Sequence, residues 1–317
     1  MRIMDVKSRL KEIRRNMDPT IKEMKFSLHR IKQSPLSIMG IAILLFFTAI
    51  AIGAPILAAP PEGWRDPFKV PPYPPGTLFD YPRPPCPGAP FGTVQGYNIY
   101  YACIWGTITA FRIGIEVVAG TLLIGIVIGS ISAYYGGVID EILMRFTDII
   151  IAFPGLILAM AIVAVRGPSM DSIVIALILV GWPSYARVIR SEILKVKTED
   201  YVEAAKAIGC SDFRVITRHI LPNSIYTIII MASLDIGAIV LSAAALSFLG
   251  LGPPSGYADW GQFINFSRPY IYKSAQDPLG YWWTWTIPGI FIFTFVLGWN
   301  LLGDAFRDIL DPTIRRR

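Results

Sequence analysis

Residues 36–58 run without a charged side chain for longer than a hydrocarbon core of about 30 Å requires at about 1.5 Å per residue. Within such a core each backbone amide needs a partner in its own segment, so a run of this kind crosses as helix. Further apolar stretches recur at about 112–134, 146–165, 172–188, 225–249 and 285–302. Together they predict an all-α integral membrane protein with six transmembrane helices. A hydrophobic content of 53% against 16% charged residues excludes an ordinary soluble domain.

The intervening segments differ in kind. Residues 1–35 are basic, with Ile13, Met17, Ile21, Met24, Leu28 and Ile31 at three- and four-residue intervals. They predict amphipathic helix along the inner membrane surface, broken near Pro19, with a solvated basic tail as the plainer alternative. Residues 59–111 are rich in proline and aromatics, including Pro60-Pro61, Pro71-Pro72 and Pro84-Pro85, and predict an irregular outer loop. A second aromatic segment, 253–284, follows the fifth span and is expected to dip back toward the membrane around 260–266. The remaining spans and their connections form a core over 112–303, and 304–317 form a short tail.

Under this topology 22 of the 29 Lys and Arg lie on one side, together with both termini and the polar stretch 198–224. Positive charge marks the cytoplasmic face, so both ends are expected in the cytoplasm of a cell-membrane protein. The net charge of +6 follows that topology and forms no nucleic-acid patch. Three cysteines and two histidines carry no zinc-ligand spacing. Cys86 and Cys103 both fall in the segment placed outside, where a disulfide could persist.

The polar stretch predicts two short helices. Thr198 caps the first, Gly209 ends it in the left-handed conformation, and Ser211 caps the second. Phe213, Val215, Ile216 and Ile220 then form an apolar face until Leu221 and Pro222 close the helix. Here the sequence becomes specific. Glu203-Ala204-Ala205, three residues, Gly209, nine residues, His219 and then Leu221-Pro222 resemble the EAA loop of ABC importer permeases. The general form of that loop has Ile at His219, whereas Arg218-His219-Ile220-Leu221-Pro222-Asn223 is similar to its peptide-permease branch.

The resemblance runs beyond the loop. Residues 33–55, 145–154 (RFTDIIIAFP), 246–252 (LSFLGLG) and 300–312 (NLLGDAFRDILDP) look like segments of C-type peptide-permease subunits. Two departures stand out. Residues 91–97 (FGTVQGY) replace a Gly-Thr-Asp and Gly-Arg-Asp pattern, and Ala243 stands where an acidic residue is usual. Both lie on or near the outer pathway, so oligosaccharide import by the same machinery stays open beside oligopeptide import.

The resemblance implies a division of labour. No phosphate-loop motif exists in the chain, so it cannot cradle ATP in that manner; the resemblance implies that two partner ATPase subunits bind ATP and magnesium and that the chain is no enzyme itself. A homologous second permease, an extracytoplasmic substrate-binding protein and membrane lipid complete the expected surroundings. Glu203, Ala204, Ala205, Gly209, Arg214, Arg218, His219, Leu221 and Pro222 are the residues the resemblance implies for coupling to the ATPase, with Gly209 and Pro222 fixing the bend. Charges within spans are costly and point to function, which singles out Glu116, Asp148 and Asp235. Phe153 and Pro154 interrupt the third span, which reads either as a kink beside the expected path or as a packing kink. A proton relay through Glu116 and Asp235, as in a secondary transporter, is the remote alternative.

Overall fold

The structure, a computed structural model, describes residues 34–74, 81–271 and 279–310. The basic N-terminal segment and the end of the C-terminal tail lie outside the described residues. Helix α1 (Pro35–Leu57) opens on Ser34, whose hydroxyl accepts from the Ser37 amide, with Pro35 preset for the first turn. The described residues after it are irregular up to a two-strand hairpin, β1 (Thr93–Val94) and β2 (Tyr97–Asn98), paired Thr93 to Asn98 and Val94 to Tyr97. Gln95 and Gly96 both take positive φ, the twist a two-residue hairpin turn requires.

Asn98 then caps α2 (Ile99–Tyr135), its side chain accepting from the amides of Tyr100 and Tyr101. At 37 residues α2 is about 55 Å long, far beyond a hydrocarbon core. The second span was expected to begin near Arg112, so residues 99–111 are helix and not loop. Their aromatics are tied inward: Trp105 Nε1 donates to the Ala58 carbonyl at 2.9 Å and the Tyr101 hydroxyl to that of Pro67 at 2.9 Å. Cys103 lies buried in the same aromatic core, while Cys86 sits half-buried in a tight turn with Ala89. Both thiols are free, so the disulfide that the outer placement would allow is not formed.

The third span is broken. Helices α3 (Gly137–Ile151) and α4 (Gly155–Arg166) meet at 85° across Phe153 and Pro154, a far larger change of direction than a proline kink. Helix α5 (Met170–Val196) follows, capped by Ser169 and two turns longer than its apolar run suggests. The polar stretch contributes α6 (Asp200–Ala207) and α7 (Asp212–Arg214), and α8 covers Leu221–Leu246. Helix α9 (Trp260–Ile271) covers the segment expected to dip back and is buried against its neighbours, and α10 (Trp283–Leu310) closes the fold. Among the described residues five helices are long and apolar enough to span, six when the bent α3–α4 pair counts as one.

Lipid is as apolar as leucine, so these helices gain by close packing and not by leaving water. Glycines permit it. A Cβ on Gly125 would stand 2.5 Å from that of Tyr185, and one on Gly40 2.6 Å from that of Leu301, which fixes α2 against α5 and α1 against α10. Toward the α9 end Phe47, Trp260 and Phe295 pack with ring centroids 5.3 to 6.1 Å apart. Each such aromatic pair adds about 0.5–1.5 kcal/mol beyond burial.

Candidate functional site: a polar helix pair and a cavity between the spans

The polar pair is built on the ends of two long helices. Lys197 Nζ, one residue past α5, donates to the Ala133 and Tyr134 carbonyls at 3.1 and 2.6 Å, satisfying the C-terminus of α2. Burial, with Lys206 nearby, lowers this ammonium below the usual lysine range, and Asp140 opposes the shift. Glu199, not Thr198, occupies the cap of α6, and the Thr198 hydroxyl instead donates to the Lys195 carbonyl. Asp200 and Glu203 lie in the first turn, where the helix dipole favours negative charge.

Val202 and Ala205 are buried against Ile193, Val215 and Ile220, which leaves Glu203 and Ala204 on the outer face. Gly209 ends α6 at φ 81°. Its amide donates to Lys206 and that of Cys210 to Ala205, the paired bonds of a Schellman turn. No atom lies within 4 Å of where a Gly209 Cβ would be, so the residue is required by backbone conformation alone.

Ser211 takes the cap position of α7 without a side-chain hydrogen bond. Beyond Arg214 the chain does not stop at Leu221 and Pro222 as expected. A π-helical turn over Val215–Ile220 carries it directly into α8, with Pro222 in the first α-helical turn. The wider turn relieves the clash of a proline ring with the carbonyl four residues back. It also rotates the spacing, so Phe213, expected on the apolar inner face, is 77% exposed beside the 81% exposed Ile208. Arg214 and Arg218 are exposed with them, and His219 and Leu221 are half-buried.

The expected path residues separate. Glu116 pairs with Arg112 at 2.9 Å, and Arg112 also holds Asp171 at 2.9 Å, so α2 and the start of α5 are clipped together. Asp148 pairs with Arg187, and Asp140 accepts both Nε and Nη2 of Arg190 at 2.6 and 2.5 Å, joining α3 to α5. No contact among the described residues joins Glu116 to Asp235.

Asp235 does face a cavity. It measures about 300 Å³ and is enclosed by α2, α4, α5 and α8, with Thr121, Ser184, Tyr185 and Ser242 as its other polar lining. Gly155, next to Pro154 at the bend, also lines it. Ala243, the position of the absent acid, is buried in the core. Sequence reading missed Tyr185 and Ser184; two polar residues directly after Pro183 inside an apolar span are the signal they left.

Comparisons with known proteins agree with this architecture. The family described as "Binding-protein-dependent transport system inner membrane component" matches residues 125–316. The dipeptide transport system permease protein DppC of Alkalihalophilus pseudofirmus is 37% identical over 289 residues, covering 90% of this chain and 88% of that one. The probable D,D-dipeptide transport system permease protein DdpC of Escherichia coli is 36% identical, with 89% of each chain covered. The glutathione transport system permease protein GsiD of Pectobacterium atrosepticum is 36% identical over 69% of this chain and 71% of that one. Among solved structures, the inward-facing MetNI methionine ABC transporter aligns with 66% of this chain and 96% of its own at a TM-score of 0.53. At 16% identity that likeness concerns the fold alone.

Proposed function

The chain belongs to the family of inner-membrane components of binding-protein-dependent transport systems, and on that premise we propose that it forms half of the translocation path for oligopeptides. It is a multi-pass permease subunit of an ATP-driven importer, and ATP hydrolysis lies in partner chains. Peptides are favoured as cargo because the relatives that cover most of the chain carry dipeptide and oligopeptide names. The other half of the path is a homologous second permease, with two ATPases on the cytoplasmic side and a binding protein outside. Both termini and the helix pair face the cytoplasm, as the distribution of Lys and Arg favours.

One observation carries the mechanism: the second helix of the pair and the cavity wall are one continuous rod. The π turn joins α7 to α8 without a break, and α8 carries Asp235 on the cavity. Val202 and Ala205 clamp α6 to that joint, and Gly209 fixes the angle. The ATPase grips the outer face, through Glu203, Ala204, Ile208, Phe213, Arg214 and Arg218. Closure of the ATPases on ATP then turns α8 and opens the cavity outward. His219, Leu221 and Pro222 lie at the joint and transmit the push.

The test is ATP hydrolysis by the assembled complex in lipid with its binding protein, comparing a mixed oligopeptide pool with a mixed oligosaccharide pool. Stimulation by peptides supports this reading. Stimulation by sugars alone overturns the choice of cargo and leaves the coupling in place.

A further inference from the structure

We propose that the Asp235 carboxylate is a transient binding site for the α-ammonium group of the peptide as it passes between the spans. The inference rests on the reading of the cargo as peptide. A charge within a span is costly and is kept where it has a partner or a task. Glu116, Asp140 and Asp148 each have an arginine. Among the described residues Asp235 has no cation, although its side chain lines the cavity near the middle of α8.

A second group borders the same space. Tyr185 is 2% exposed, and its hydroxyl lies within electrostatic reach of Asp235 without closing a hydrogen bond of normal geometry. A buried hydroxyl left so is costly, and a ligand that supplies its partner recovers that cost. The hydrogens of Thr121 and Ser242 are already given to carbonyls of their own helices, Val117 and Ala238 at 2.8 Å each, so their oxygens face the cavity as acceptors. The site therefore offers one anion, several acceptors and, beside Asp235, one buried phenolic hydroxyl without a well-formed hydrogen bond.

That set fits a primary ammonium beside a carbonyl. An ammonium has three donors and no acceptor, so it can give to Asp235 and to the hydroxyl oxygens while the adjacent peptide carbonyl accepts from Tyr185. A neutral sugar brings no charge to neutralise the carboxylate. At about 300 Å³ the cavity lies at the small end of ligand sites, enough for a peptide terminus. A single carboxylate also suits passage, which needs a hold firm enough to admit the cargo and weak enough to release it.

The complete complex in proteoliposomes, with its binding protein, tests this through peptides delivered per ATP hydrolysed. Asp235→Asn should lower that ratio on the order of tenfold for a peptide with a free terminus, the loss of one charge-assisted hydrogen bond. Asp235→Glu should restore most of it. Tyr185→Phe, which removes one oxygen from a packed position, should lower the ratio in the same direction. An N-acetylated peptide, at concentrations that load the binding protein, should be delivered with equal ratios by the original protein and by Asp235→Asn. A wild-type ratio in Asp235→Asn, or uptake and hydrolysis falling in step for both peptides, overturns the site while peptide import stands. A complex that carries sugars and no peptide overturns both.

Discussion

The Tyr134 hydroxyl, in the last turn of α2, donates to Asp212 Oδ1 at 2.6 Å and so ties the second short helix to a different spanning helix from the one it leads into. Lys197 and Lys206 stand over the same ring at 5.7 and 5.3 Å. One aromatic side chain therefore gathers the end of α5, the last turn of α6 and the start of α7. A force applied to the pair is shared between α2 and α8, both of which line the cavity.

Tyr134→Phe keeps the ring and its two cations and removes only the bond to Asp212. Asp212 is exposed, so the expected loss of stability is small, about 1 kcal/mol. The local consequence is larger. Amide hydrogen exchange across 198–214 should quicken while that of α5 and α8 is unaltered, and substrate-stimulated ATP hydrolysis should fall. Unaltered exchange in the pair would mean that the bond does not hold it.

Gly209→Ala places a Cβ in open space, so any effect comes from forcing an alanine to φ 81°. The cost should be about 1 kcal/mol, and Gly209→Asn should cost less because asparagine tolerates this region. The spans should assemble normally in both variants. Coupled ATP hydrolysis should rank glycine above asparagine above alanine, and an alanine variant equal to the original would remove the fixed bend from the mechanism.

Ile208→Ala and Phe213→Ala change side chains that touch little of their own chain. Thermal stability of the isolated permease should move by no more than about 0.5 kcal/mol in either variant. Retention of the ATPase on a purified permease should drop, since large apolar groups at the centre of an interface carry most of its affinity. Full retention in the double variant would place the contact elsewhere on the pair.

The Asp140–Arg190 pair is two-thirds or more buried on each side and has two parallel hydrogen bonds. Asp140→Asn should destabilise by about 1–3 kcal/mol, because it leaves a half-buried guanidinium without its anion. A double-mutant cycle with Arg190→Gln should recover a coupling energy well above that of the exposed Arg145–Glu141 pair, whose atoms are 3.9 Å apart. Equal coupling in the two cycles would count against a structural lock between α3 and α5.

The spans were legible because long uncharged runs permit few folds, and the bend at Gly209 was legible because one residue type suits that φ. The start of α2 was not. Tyr100, Tyr101 and Trp105 have the composition of an interfacial loop, and only their bonds to Leu57, Pro67 and Ala58 reveal a helix folded over the first span. Phe213 was misplaced because a π turn resets helical spacing, and no residue of 215–220 announces one. Asp235 was visible as a charge in an apolar run, but Tyr185 lies fifty positions earlier and meets it only through the packing of α5 on α8.

That packing depends on small residues, which yields a comparison between two glycines. Gly125 lies where α2 crosses α5, and an added Cβ would stand 2.5 Å from Tyr185 Cβ and 3.1 Å from the Ala186 nitrogen. Neither neighbour is the free end of a flexible side chain, so Gly125→Ala must push the helices apart, at about 1–3 kcal/mol. It also shifts Tyr185, and with it the cavity. Gly289, inside α10, has nothing within 4 Å of its Cβ position, so Gly289→Ala should be neutral or stabilise by up to about 1 kcal/mol through helix propensity. Thermal unfolding of the two variants in the same detergent separates the cases. A Gly125→Ala protein as stable as the original would mean that α2 and α5 have slack at their crossing, and the cavity wall would then not be rigid enough to act as a lever.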